Sequence, residues 1–141
     1  MGLAADGSLL VIDRGLEALL RVDLETGSRS EWSSDQHGSG PDFIAPIGVV
    51  GDGSGAAVVD AGLGAVLRVD PSDGSRTEVS GKQKGAGPSF SMVRTLARLS
   101  KDSVAVIDID LRTIFRVDPI SSRRWTWLSA MIAPWFWIPV G

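Results

Sequence analysis

The chain of 141 residues has no cysteine and no asparagine, a single histidine, and no long apolar run. Without cysteine there is no disulfide, no thiolate nucleophile and no zinc–thiolate site. The densest apolar segment is "MIAPWFWIPVG", residues 131–141. It has about half the roughly 20 residues a membrane-spanning helix needs, and it carries two prolines. No transmembrane segment is therefore expected. Asp6 follows Met1 too closely for the apolar stretch of a secretory leader. Asp6 also stands where a myristoylation motif wants serine or threonine. The compartment stays undetermined. No phosphate-binding loop, G-x-S-x-G, H-E-x-x-H or EF-hand pattern occurs. A net charge of −3 argues against a nucleic-acid or anionic-membrane partner.

What is present is repetition. The stretch "AVLRVDPSDGSRTEVSG", Ala65–Gly81, has a counterpart upstream in "ALLRVDLETGSRSEWSS" and another downstream in "TIFRVDPISSRRWTWLS". Asp13, Asp60 and Asp108 close an apolar run at intervals of 47 and then 48 residues. Gly15, Gly62 and Asp110 follow two residues later. Asp23, Asp70 and Asp118 end the Arg-Val-Asp triplets, and Gly27, Gly74 and Ser122 lie four beyond them. A period in this range marks a solenoid, a propeller or an array. Charge is not shared evenly. Residues 1–90 hold 13 acidic and 7 basic side chains, whereas residues 91–141 hold 4 and 7.

Each unit reads as four short strands, A to D, with turn signals between them. Strand A is clearest at Ile47–Val50, with a partner at Val93–Leu99. Strand B is 9–12, 56–59 and 104–107, apolar without alternation, as for a strand covered on both faces. Strand C is 18–22, 65–69 and 113–117. Strand D is 28–32, 75–79 and 123–127; it alternates polar and charged residues in the first two units and is expected on the outside. No window shows apolar residues at helical spacing, so helical repeats are excluded. The B–C turn is expected to place Gly15 and Gly62 at positive φ, with Asp110 as a tolerated substitute. The C–D turn is expected to leave through a bulge at Gly74, with Ser122 giving a looser turn in the third unit.

Repeated four-stranded units of this length fit an all-β fold: blades of a β-propeller, here about three. With "PIGVVGDGSGAAVVDAGLGAVLRVDPSDGSRTEVSG" and the linkers "GSGPDF" and "GAGPSF", the chain resembles NHL-type propellers. It also resembles their relatives, the streptogramin lyase-like and gluconolactonase-like proteins. Pro46-Ile47-Gly48 matches the Pro-x-Gly that opens strand A in that family. The third unit has Met92-Val93-Arg94-Thr95 instead. On this reading one partial propeller spans 1–141: blade 1 at about 1–43, blade 2 at about 44–90 and blade 3 at about 91–130. Residues 131–141 are either a degenerate first strand of a further blade or an unrelated tail. The resemblance implies a blade fold and, in the lactonase-like branch, a metal held by acidic and amide side chains. With no asparagine, no such ligand set maps onto this chain.

The candidate chemistry is sparse. Asp13, Asp60 and Asp108 could form a calcium-binding carboxylate ring. The turn reading, in which each accepts backbone N–H groups, is preferred, because a feature repeated in every blade serves the blade. His37 sits in the linker "SDQHGSGPDF" and reads as a solvated loop residue rather than a general base. Arg94, Arg98, Lys101, Arg112, Arg123 and Arg124, with Trp125 and Trp127 interleaved, suggest a nucleic-acid surface. They read better as a solvated outer strand with packed tryptophans. His37, Arg94, Trp135 and Trp137 are the remaining candidates for a binding surface. No catalytic residue and no cofactor is assigned. The expected function is a non-catalytic binding or scaffold module that self-associates or joins additional blades. A lactonase- or lyase-like enzyme part and a truncated product without independent function are the alternatives.

Overall fold

The structure, a computed structural model, describes residues 1–82 and 84–128, the last two by their backbone. The tail proposed at 131–141, with Trp135 and Trp137, lies outside the described residues. Within them are twelve strands and no helix. β1 (Gly2–Leu3), β2 (Leu9–Asp13), β3 (Ala18–Val22) and β4 (Arg29–Ser33) form the first antiparallel sheet in that order. β5 (Pro46–Gly51), β6 (Ala56–Asp60), β7 (Ala65–Val69) and β8 (Arg76–Ser80) form the second. β9 (Val93–Ser100), β10 (Ser103–Asp108), β11 (Thr113–Val117) and β12 (Arg124–Leu128) form the third. The three sheets are consistent with a three-blade propeller-like fragment, and are called blades 1 to 3 below. The strand positions agree with the sequence reading to within a residue or two at each end.

Strand alternation sends each blade's apolar residues to two faces, and each internal face meets its neighbour. Ala56, Val58, Leu67 and Val69 of blade 2 pack against Leu10, Leu19, Trp32 and Phe43. The opposite face of blade 2, with Ala57, Val59 and Val66, packs against Val104, Val106, Phe115 and Val117 of blade 3. The continuous apolar run of β6 is thus explained, since both its faces are covered; β10 meets blade 2 through Val104 and Val106.

The turns correct two expectations. Positive φ in the B–C turn falls on Glu17 (49°), Gly64 (60°) and Arg112 (49°), not on Gly15 or Gly62. The aspartate before each turn caps the N–H groups that follow, as at a helix N-terminus, and the left-handed residue closes the four-residue loop afterwards. Gly62 is needed for space instead. A Cβ there would lie 2.5 Å from Ile44 Cγ2 and 3.1 Å from the Ala45 nitrogen. At Gly15 a Cβ would meet only Asp13 Oδ1, at 3.4 Å. Gly62→Val is therefore expected to cost about 1–3 kcal/mol through overpacking, and Gly15→Val within about 0.5 kcal/mol. Chemical denaturation of the pair checks this; equal effects would show that the Ile44 contact plays no part.

The C–D turn of blade 3 is not looser than the others. Ser122 takes φ 58°, beside 70° at Gly27 and 72° at Gly74. The Ser122 N–H donates to the Asp118 carbonyl at 3.0 Å, as Gly27 does to Asp23 and Gly74 to Asp70 at 2.9 and 3.0 Å. The hydrogen bonds of the turn hold the serine in the left-handed region. β8 also departs from the expected exposed outer strand: Arg76, Val79 and Ser80 are buried. The linker arriving from blade 1 covers Arg76, Val79 packs in the core shared with blade 3, and Ser80 receives Arg124.

Candidate functional site: a latch between blades

The aspartates near the B–C turns are structural. Asp60 is fully buried and accepts the Ile44, Ala45 and Leu63 N–H groups at 2.8, 3.0 and 2.9 Å. Asp108 does the same for Ser91, Met92 and Leu111. Each carboxylate ties the start of its blade's inner strand to the turn between the next two. Asp13 accepts only Gly15 and Leu16 N–H. Among the described residues no three histidine, aspartate or glutamate side chains are grouped to hold a metal ion.

Asp23, Asp70 and Asp118 sit in their turns with carboxyls below the usual range. The Thr26 N–H and hydroxyl lower Asp23, and the Ser72 hydroxyl and N–H lower Asp70. At Asp118 burial pushes upward, and the Ser121 hydroxyl with the Ser121 and Ile120 N–H groups outweighs it. Asp110 is exposed and accepts the Ser91 hydroxyl at 3.1 Å.

The sequence reading missed the residue that organises the blade seams. Arg76, at the head of β8, is only 4% exposed. Its guanidinium reaches back to blade 1: Nε donates to the Pro41 carbonyl at 2.6 Å, and Nη1 donates to Ser33 Oγ at 2.8 Å and to the Ser34 and His37 carbonyls. The Phe43 ring lies beneath it, 5.3 Å away. The ion pair to Asp42 spans 3.4 Å, and that carboxylate is 69% exposed, so it adds little. Planar, five-donor geometry is what lets one side chain hold several carbonyls at once.

Arg124 repeats the arrangement between blades 2 and 3. It donates to Ser80 Oγ at 2.6 Å and to the Gly87 carbonyl at 3.0 Å, with the Phe90 ring 4.6 Å away. Burial holds its guanidinium below the ordinary value. It is therefore a seam residue and not part of a solvated outer strand or a basic surface.

The glycines of each linker fit the next blade's last strand. Gly38 and Gly40 have φ of 88° and 101°, and Gly85 and Gly87 have 88° and 105°. A Cβ on Gly40 would lie 1.9 Å from the Arg76 carbonyl oxygen, and one on Gly38 2.1 Å from that of Gly74. Only glycine permits both the backbone conformation and the approach. The segment read as a simple linker is thus a recognition element, Gly-x-Gly-Pro-x-Phe, gripped by an arginine. The signal was in the sequence: Arg29, Arg76 and Arg124 recur with the same 47 and 48 spacing as the aspartates.

The other candidates are scattered. His37 is exposed, and its backbone carbonyl rather than its imidazole takes part in the latch. Arg94 is exposed on β9. Trp125 is 43% exposed, with Arg116 5.8 Å from its ring. A cleft of about 410 Å³ runs along the seam of blades 2 and 3 and is lined by residues including Arg68, Lys84 and Ile120, with no carboxylate and no histidine among them. No helix of the described residues is long and apolar enough to cross a membrane. No protein-family model matches the chain, and no curated protein matches it.

Proposed function

We propose that the chain is a non-catalytic binding or scaffold module of the NHL-like propeller kind, part of a larger propeller, that works by presenting its blade faces to further blades. One observation carries this. The face of blade 1 formed by Leu9, Val11, Leu20 and Val22 is partly open, whereas the equivalent faces of blades 2 and 3 are sealed. An apolar sheet face left uncovered marks an interaction surface. The seam cleft supports the same reading, since it offers no acid–base pair for a lactonase or lyase step.

The chain is expected to associate reversibly with rising concentration, seen by light scattering coupled to size exclusion. Leu20→Glu should weaken that association strongly while changing stability by no more than about 1 kcal/mol, because Leu20 is already partly exposed. Undiminished association in Leu20→Glu, or stoichiometric calcium accompanied by lactone hydrolysis, would overturn the proposal.

A further inference from the structure

Arg29 stands where Arg76 and Arg124 stand. The ladders place it opposite Val22, as Arg76 faces Val69 and Arg124 faces Val117. Cross-strand partners share a face, so Arg29 lies on the open face of blade 1. The set around it is matched pair for pair. Leu9–Val22 and Val11–Leu20 correspond to Ala56–Val69 and Val58–Leu67, and to Val104–Val117 and Val106–Phe115. In blades 2 and 3 these residues are buried, and the arginine is 4% exposed in both. In blade 1 the four apolar residues are half-buried and Arg29 is exposed.

The backbone tells the same story. Gly27 has the conformation of Gly74, φ 70° against 72°. A Cβ at Gly74 would strike the Trp32 carbonyl oxygen at 2.2 Å, yet one at Gly27 would meet nothing within 4 Å. Blade 1 therefore carries every element of the latch and holds no linker.

We propose that the open face of blade 1 is a docking site for a further β-blade, one whose last strand ends in serine and runs into a Gly-x-Gly-Pro-x-Phe linker, and that Arg29 is the side chain that recognises it. This deepens the scaffold reading and rests on it. The occupant follows from the two filled copies of the site: the serine hydroxyl and the linker carbonyls receive the guanidinium, the glycines lie along the strand edge, and the phenylalanine packs beneath the arginine. A second copy of this chain has no such segment to offer. Its two linkers are engaged by Arg76 and Arg124. Leu128 stands where Ser33 and Ser80 stand, and residues 129–141 contain no Gly-x-Gly-Pro.

The test duplicates residues 2–48 in frame ahead of Gly2, which supplies such a blade at the repeat's own spacing, and compares this four-blade chain with the three-blade chain. In the three-blade chain Arg29→Ala should leave the melting midpoint and any self-association unchanged. In the four-blade chain the same substitution, at the second copy of Arg29, should lower the midpoint about as much as Arg76→Ala does, and should release the amides of the added linker to exchange. Arg29→Lys should not rescue, because an ammonium lacks the planar fork. An added blade that is digested away by protease, or an Arg29→Ala that is silent in both chains, would overturn the assignment. So would loss of self-association in the three-blade Arg29→Ala chain, which would show that a second copy lacking the linker engages Arg29 as well as the apolar residues around Leu20. A failure confined to the added blade leaves the Leu20→Glu result standing, so the two proposals are separable.

Discussion

Replacing Arg76 with alanine is expected to destabilise the chain by at least about 3 kcal/mol. The side chain is buried, and its removal takes the donor from the Ser34 and Pro41 carbonyls and one partner from Ser33 Oγ and the His37 carbonyl, which keep the Gly74 carbonyl and the Ser34 N–H respectively. Each buried polar group left unpaired costs about 1–3 kcal/mol, reduced where water can enter. The guanidinium also covers Phe43, which is 2% exposed, so truncation opens apolar surface as well. Arg76→Lys should recover little, because one ammonium cannot serve acceptors spread over the 33–41 segment. Loss of Asp42, by contrast, should change stability by less than about 1 kcal/mol, since its pair with Arg76 is long and solvated. Urea unfolding of the three variants checks the order; an Arg76→Ala chain as stable as Asp42→Ala would show that the latch does not hold the seam.

Asp60→Ala should be comparably severe. Its carboxylate is fully buried and receives three backbone N–H groups from two separate segments. Without it Ile44, Ala45 and Leu63 lose a charged acceptor, and a loss of at least about 3 kcal/mol is expected, against a total stability of roughly 5–15 kcal/mol for a domain. Asp13→Ala is the internal control. That carboxylate is only partly buried and caps two N–H groups near solvent, so about 1 kcal/mol is expected. Equal losses at the two sites would show that the tie to Ile44 and Ala45 is not what Asp60 contributes.

The difference between Asp13 and Asp60 shows where sequence reasoning reaches and where it stops. The two residues occupy the same repeat position, and both were readable as turn aspartates. Their local chemistry, capping the loop that follows, depends on residues two and three places away and is legible in a string of letters. The further grip of Asp60 on residues 44 and 45 depends on where the chain returns after a whole strand and turn.

The same limit explains the glycine error. A Gly-x-Leu pattern after an aspartate signals a turn, but not which of its residues is left-handed. Glu17 and Arg112 take φ of 49° because the loop closes there, whatever their intrinsic preference. Gly62 is required for space and not for its own dihedral angle, because Ile44 packs against it.

The sequence alone specifies the number of units, the strands, the order of turns and, among the described residues, the absence of helix. Those follow from short-range alternation and from a period that any copy repeats. It did not reveal that an arginine in one blade reads the linker from the blade before it, because the two are separated by more than thirty residues and meet only when sheets stack. The tertiary structure decided that three arginines at one repeat position have two fates. Arg76 and Arg124 are buried because a preceding blade covers them, and Arg29 is exposed because its face is open. Burial depends on a neighbour, and the repeat alone does not specify whether that neighbour is present.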